Sequence, residues 1–393
     1  MKLGMLIPEF PTQTHVFFWR EIEALRGIGV SVKVLSTRRP NERCPHRFAV
    51  AAQSETHYVY PPKPRSLLSA LSPHRLARCA DYVRGISGSW RAKVRAIGFI
   101  LCAFDLFDYA RREGITHVHT HSCADAAHLV ALAHLMGGPS YSLHLHGDLE
   151  VYGTDHAQKM KNALFVSAAA RPIQQQLIDR VGLPPNRTHT MWMGVDTSVF
   201  SPRLRAREKT EPLRLVTVAR LNFAKGHRHA LAALRMALDR GAQVHYSIAG
   251  SGPNQSNVER AIREFSLGAN VKMVGSLSEE RILGLLQDCH AFVLPSVGAG
   301  EASPVAVMEA MACGVPVISS IIGGTPEMIT DGVDGILVQQ GDEAAIAAGI
   351  QRLYEDEELR SRLGEAARRR AVEMFDCHST AKRLLNTILT SSG

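Results

Sequence analysis

The chain is short of the materials for a membrane span, a disulfide framework or a nucleic-acid surface. No apolar run in its 393 residues approaches the ~20 needed to cross a bilayer. Seven cysteines, odd in number and without a C-x-x-C pair, suit a reducing cytoplasm better than a set of bridges. Aromatic residues make up 6% and the common nucleic-acid motifs are missing. The net charge of +8 is therefore assigned to an anionic substrate or an anionic membrane face, with no nucleic acid as partner. The opening MKLGMLIPEF has one lysine and a brief apolar run broken by Pro8, so it reads as a first strand and not as a signal peptide. D-x-D motifs, internal repeats and long low-complexity segments are absent from the sequence. What is present is the material of a full core, 45% hydrophobic and 21% charged, with length for two α/β domains.

Strand and helix patterns alternate along the chain. Lys2–Ile7, Val30–Leu35, Ile115–His119, Ser140–Leu145 and Ala163–Ser167 are short, apolar and β-prone, and Phe17–Arg26 is helical, stopping near Gly27 and Gly29. This order predicts a doubly wound parallel sheet. The polar, proline-flanked stretch GVDTSVFSPRLRAREKTEP breaks the pattern. A second alternation follows through Leu213–Ala219, Val244–Ala249, Val271–Val274 and Ala291–Pro295. The expected organisation is a first domain over 1–195, a linker over 196–212, a second domain over 213–374 and a closing helix over 375–393. Ligands are expected at the C-terminal ends of the strands.

The densest signal is Leu294 to Val338, LPSVGAGEASPVAVMEAMACGVPVISSIIGGTPEMITDGVDGILV. Glu301 and Glu309 form an E-x7-E pattern in it. Pro304 is expected at the first position of a helix that continues through Val305–Cys313 and stops at Gly314. Glu301 then lies on the loop before that helix and Glu309 on the helix. The amides of Ala302, Ser303, Val305 and Ala306 fall where a helix start offers unpaired N–H groups to an anion. A strand, Pro316–Ser320, leads to Gly323-Gly324, where a backbone can approach a ligand closely. Such a unit can hold a sugar, a ribose and a diphosphate; the plain alternative is a β-α-β unit with one solvated and one capping glutamate.

Arg220, Lys225 and Gly226 follow the strand Leu213–Ala219 and precede the helix Arg228–Leu238. Two cations on one loop suit a leaving group whose negative charge grows in the transition state. Gly250 and Gly252 read as a phosphate-cradling or a close-packing turn. His119 and His121 share one face of their strand end; without matched carboxylates, no metal site is expected there.

These residues resemble the retaining GT-B glycosyltransferases of family 4. Glu309-Ala310-Met311-Ala312-Cys313-Gly314 and Gly323-Gly324-Thr325-Pro326-Glu327 match that signature, and Asp334-Gly335 stands where Asn-Gly is frequent. Ala302-Ser303-Pro304 replaces the usual G-F-G and resembles the exopolysaccharide, colanic-acid-type branch, as does the loop EFPTQTH at Glu9 to His15. The resemblance implies an α/β GT-B fold, two Rossmann-like doubly wound domains facing a central cleft. The first would bind the acceptor, the second the donor, and the closing helix would cross back to the first. It implies transfer of a sugar from a nucleoside diphosphate sugar to a hydroxyl acceptor with retention of configuration. The acceptor would be a glycan or a lipid-linked oligosaccharide of exopolysaccharide or cell-envelope biosynthesis, and neither metal nor other cofactor would be needed.

The same resemblance assigns roles. Glu301 and His146, the latter within Leu143 to Asp148 at a strand end, would be catalytic. Arg220 and Lys225 would grip the diphosphate and Glu309 the ribose, with Gly250, Gly252, Leu277, Ala302, Ser303, Pro304 and Val305 completing the donor site. Thr14, His15, His119, His121 and Asp148 would lie on the acceptor side. Two alternatives stay open: a GT-B-like nucleotide-sugar epimerase that needs no acceptor, and a non-catalytic, membrane-docked GT-B partner. Intact Arg220, Lys225, Glu301 and Glu309 speak against the second.

Pro61 to Arg112 departs from the family's average. Arg75, Arg78, Arg84, Arg91, Lys93 and Arg95 interleave with Leu67, Leu68, Leu71, Leu76, Trp90, Ile97, Phe99, Ile100 and Leu101. The span is either a basic amphipathic element on an anionic membrane or a helical hairpin packed on the first domain. The corresponding locations are the cytoplasm and the inner face of the plasma membrane.

Overall fold

The computed structural model describes residues 1–392 except 42, 43, 45, 65, 67–72, 89, 204–210, 299 and 300. Among them two wholly parallel sheets form. The first contains β1 (Lys2–Ile7), β2 (Ser31–Ser36), β3 (His57–Tyr58), β4 (His117–Thr120), β5 (Ser140–Leu145), β6 (Val166–Ala168) and β7 (Thr188–Thr190). Its order is β3-β2-β1-β4-β5-β6-β7. The second contains β8 (Leu213–Val218), β9 (Val244–Ala249), β10 (Val271–Gly275), β11 (Ala291–Leu294), β12 (Val317–Ser320) and β13 (Ile336–Val338). Its order is β10-β9-β8-β11-β12-β13.

Helices cover both faces of such sheets, so their strands are apolar on both sides. β1 shows this: after Lys2, every residue to Ile7 is buried. In the second sheet Leu213, Leu215, Val244, Ile248 and Val293 share one core with Leu231, Leu234, Ile346 and Ile350 from flanking helices. Each sheet order reverses once, between β1 and β4 and between β8 and β11. Loops diverge there at the C-terminal strand ends, and open α/β sheets bind ligands at that crevice.

The chain divides into two compact units, Met1–Trp192 with Thr380–Gly393, and Met193–Ser379. The start of the expected linker is tied down. The Val195 amide donates to the Phe375 carbonyl at 2.8 Å and the Cys377 amide to the Val195 carbonyl at 2.9 Å. Arg368 donates to the carbonyls of Phe200 (2.8 Å) and Thr197 (2.9 Å). The central part of that stretch, 204–210, lies outside the described residues.

Pro304 is displaced by one position from its expected place. It precedes the helix Val305–Ala312 with extended backbone, φ −69° and ψ 113°. Its carbonyl accepts from the Val307 amide at 3.0 Å, so it closes the first turn as a cap and not as a member.

Of the 61–112 span, Leu67, Leu68 and Leu71 lie outside the described residues. The helices Pro73–Arg84 and Trp90–Glu113 are present. The second buries Ala96, Ala103, Phe104, Leu106 and Ala110. Its fully buried Asp105 accepts from Ser66 Oγ at 2.7 Å and meets His57 Nε2 at 2.6 Å. That helix is thus part of the first unit's core. Its first turns differ: Trp90 is 70% exposed, Val94 53% and Ile97 56%. No described helix is long and apolar enough to cross a membrane.

Candidate functional site

In the second unit the loops after β8 and β11 meet beside the point of sheet reversal. The loop after β8 forms a tight turn, Phe223–Lys225, capped by the Asn222 side chain, which accepts from the Lys225 amide at 3.2 Å. The Val297 amide donates to the Ala224 carbonyl at 2.8 Å and ties the two loops together. Gly226 has φ +66°, and a Cβ there would lie 1.8 Å from the Pro295 carbonyl oxygen. This glycine lets the loops close on each other.

The closure brings two assigned residues into one ion pair. Lys225 Nζ donates to Glu301 Oε2, and Ser296 Oγ donates to the same oxygen at 2.9 Å. The Lys225 side chain keeps 22% of its surface and that of Glu301 10%. The two cations expected on the β8 loop differ in their surroundings. Lys225 has a carboxylate partner, whereas Arg220 is exposed and makes no ion pair among the described residues. Ser296 carried no signal in the sequence that would have marked it.

The backbone of Glu301 is held as firmly as its side chain. Gly323 has φ +53°, and a Cβ on it would lie 1.7 Å from the Glu301 carbonyl oxygen. The Gly324 amide donates to the Ala302 carbonyl at 2.6 Å. Gly323-Gly324 therefore supports the glutamate loop. Ala302 and Ser303 are buried, with Ser303 Oγ 3.4 Å from Met328 Sδ. Glu309 is buried on the following helix. The Val305 and Ala306 amides precede the first helical acceptor, as a site for an anion requires. Gly250 and Gly252 back onto the carbonyls of Ala219 and Leu221, which makes this turn a close-packing one. Ser276 Oγ donates to Ser251 Oγ at 2.7 Å and draws in the loop that carries half-buried Leu277.

The first unit gathers histidines at the equivalent reversal between β1 and β4. β4 and β5 pair with His119 opposite Ser142, and His119 Nδ1 lies 2.7 Å from Ser142 Oγ. His144 Nδ1 lies 2.8 Å from Ser167 Oγ on β6. Above them His121 Nδ1 meets His146 Nε2 at 3.2 Å, and His121 Nε2 lies 2.7 Å from Glu21 Oε2. His15 sits edge-on to Phe18 at 5.0 Å, and Phe18 lies 5.3 Å from His146. Burial, and then neighbouring imidazoles, hold His119, His144 and His146 far below the usual imidazole range. Burial also lowers His15 to about 4. Burial thus favours the neutral form of His15, His119, His144 and His146.

Of the acceptor-side assignments, His119 is buried and engaged by Ser142, while His146 keeps partial exposure and Thr14 is exposed. Asp148 accepts from Gln176 Nε2 at 2.7 Å. Glu21, which no motif marks, lies on the helix Val16–Gly27. Among the described residues, the donors that come close enough to share one ion are Asp196, Cys377 and His378, within 4.8 Å of one another. Asp196 Oδ1 already accepts from Ser198 Oγ at 2.6 Å and from the Val199 amide at 3.2 Å.

A family profile described as glycosyl transferases group 1 matches residues 203–370, the segment that carries Lys225, Glu301 and Glu309. This segment is similar to the glycosyl transferases group 1 family. The amylovoran biosynthesis glycosyltransferase AmsK of Erwinia amylovora is 34% identical over 240 residues, 60% of this chain and 58% of that protein. WcaL of Escherichia coli strain K12, named for colanic acid biosynthesis, is 35% identical over 187 residues, 46% of each chain. The chain spans about half the length of the curated relatives it matches. Anabaena HepE, solved in complex with UDP, superimposes with a TM-score of 0.76 over 99% of this chain and 100% of that one, at 16% identity. The same protein solved with UDP-glucose gives a TM-score of 0.75 at 17% identity, again over 99% and 100%. At these identities the likeness concerns the fold: two parallel doubly wound sheets, the GT-B architecture.

Proposed function

We propose that the protein is a retaining glycosyltransferase that moves a sugar from a nucleoside diphosphate sugar to a hydroxyl of a glycan or lipid-linked acceptor in exopolysaccharide biosynthesis. The observation that carries this is the Lys225–Glu301 pair, held at the strand ends beside a helix start and a buried Glu309. Arg220 and the Val305 and Ala306 amides receive the diphosphate, and Lys225 stabilises the charge that grows as it leaves. Glu301 faces the donor sugar and stabilises its developing positive charge. Glu309 holds the ribose. The departing diphosphate takes the acceptor's proton, so that attack and departure share one face and configuration is kept. The amylovoran and colanic acid relatives support a polysaccharide acceptor, and HepE with UDP and UDP-glucose supports a uridine donor.

The exposed stripe of Trp90, Val94 and Ile97, with Lys93 beside it, supports docking on an anionic membrane that carries a lipid-linked acceptor. The deciding experiment supplies UDP-glucose and other nucleotide sugars with lipid-linked glycan acceptors and follows product by mass spectrometry and anomeric coupling. A new α-linked product from an α-linked donor supports the proposal. Epimerised nucleotide sugar formed without acceptor would replace it by the epimerase alternative.

A further inference from the structure

Three metal-ligating side chains of the second unit meet at residues to which the glycosyltransferase proposal gives no task. Val195 and Asp376 form an isolated parallel bridge, closed by the Val195 amide on the Phe375 carbonyl at 2.8 Å and the Cys377 amide on the Val195 carbonyl at 2.9 Å. The bridge sets Asp196 beside Cys377 and His378, the first residues of the closing helix Cys377–Ser391. A carboxylate oxygen of Asp196, the Cys377 sulfur and a ring nitrogen of His378 lie within 4.8 Å of one another. Other contacts hold the frame around them. Asp196 Oδ1 accepts from Ser198 Oγ at 2.6 Å and from the Ser198 and Val199 amides at 3.0 and 3.2 Å. Asp376 Oδ1 accepts from Thr197 Oγ1 at 2.8 Å, and its Oδ2 accepts from the Ser379 amide at 3.0 Å, which fixes the helix start.

We propose that Asp196, Cys377 and His378 bind a zinc ion. Thiolate, imidazole and carboxylate are the ligand types of zinc, and its bond lengths of ~2.0–2.3 Å put tetrahedral ligand atoms roughly 3.5 Å apart. Donor atoms already within 4.8 Å reach that spacing by side-chain rotation on a fixed backbone. Cys377 is buried, Asp196 is half-buried and His378 is exposed, so water supplies the fourth ligand from the open side. The ion displaces the thiol proton to solvent as the Zn–S bond forms. The hydrogen bonds to Asp196 Oδ1 orient the carboxylate, as partners behind a zinc ligand do. The chain enters the second unit after Trp192 and leaves it before Thr380. The ion therefore staples the entering segment to the leaving one, both within the second unit. Its task is structural, and no step of the sugar transfer uses it.

The test is metal binding by the full chain, with Zn2+ and with Co2+ as an optical probe, in the absence of any substrate. Wild type freed of metal by chelator and kept reduced should take up stoichiometric Zn2+ in equilibrium dialysis. Titration with Co2+ should raise a thiolate-to-metal absorption band. The other cysteines of the chain could give such a band, so the variants decide the assignment. Cys377→Ser should lose the band, and His378→Ala should lose the bound zinc. His378 is exposed, so its replacement spares the core even where Cys377→Ser fails to fold. Zn2+ should raise the Tm of wild type and leave that of His378→Ala unchanged, since only a bound ion stabilises the folded state. No stoichiometric zinc in the wild type overturns the site, and so does zinc binding that His378→Ala retains in full.

Discussion

Lys225 and Glu301 form an ion pair across 76 positions of sequence, with Ser296 donating to the same carboxylate oxygen. The two residues come from loops after neighbouring strands on either side of the sheet's reversal. The two charges thus neutralise each other at the strand ends. The arrangement keeps both charges in place without leaving either one isolated in a half-buried setting.

Glu301→Gln keeps the shape and loses the charge. A carboxylate facing a sugar that gains positive character acts mainly in the transition state. Turnover should fall by ~100-fold or more while donor affinity changes little. Initial rates and a donor titration on the same preparation check this; near-normal kcat would remove Glu301 from the chemistry.

Glu309→Gln should behave in the opposite way. A ribose contact is made in the ground state and the transition state alike, so its loss raises KM and leaves kcat nearly unchanged. A kcat effect larger than the KM effect would count against the ribose assignment.

Acid should destabilise the fold. Burial lowers His15, His117, His128 and His227 to about 4 in the folded state. In the unfolded chain they titrate near 6.5. Between these values the unfolded state binds more protons, so the stability is complete above pH ~6.5 and is lost as pH falls toward 4. Each such group contributes up to ~1.4 kcal/mol per pH unit in that window. Denaturant midpoints measured from pH 7.5 to 4.5 should decline steadily; a flat profile would contradict the lowered pKa values of these buried histidines.

Triple replacement of Trp90, Val94 and Ile97 by serine should abolish flotation with anionic vesicles. Each large apolar side chain buried is worth ~1.5–3 kcal/mol, or roughly tenfold or more in partitioning. Arginines of the span are a poorer target than the sequence suggests. Arg75 stacks on Phe107 at 4.5 Å, and Arg84 pairs with Asp81 at 2.6 Å. Unchanged flotation, or none in the wild type, leaves the hairpin as a packing element alone.

Much of this molecule was legible in its sequence, for identifiable reasons. β1 begins and ends where the sequence places it, because a parallel strand covered on both faces leaves a continuous hydrophobic signature. β3 and β7 were not legible: two or three residues at a sheet edge show no alternation. The E-x7-E pattern located Glu301 and Glu309, but the loop-to-loop packing that the positive φ of Gly226 and Gly323 serves is revealed only by the fold. The histidines alternate visibly along β4, yet their contact with His146 and Glu21 depends on strand order and on a helix after β1. Local pattern fixes elements; it does not say which loops become neighbours.

The most direct test of the central claim is a calorimetric titration of UDP and GDP into the wild-type protein, Arg220→Ala and Lys225→Ala. The account predicts that a nucleoside diphosphate binds wild type without added metal and that each variant binds ~10-fold or more weakly, the scale of one charge-assisted contact. Equal binding by all three proteins, or no binding of any nucleoside diphosphate, would contradict it.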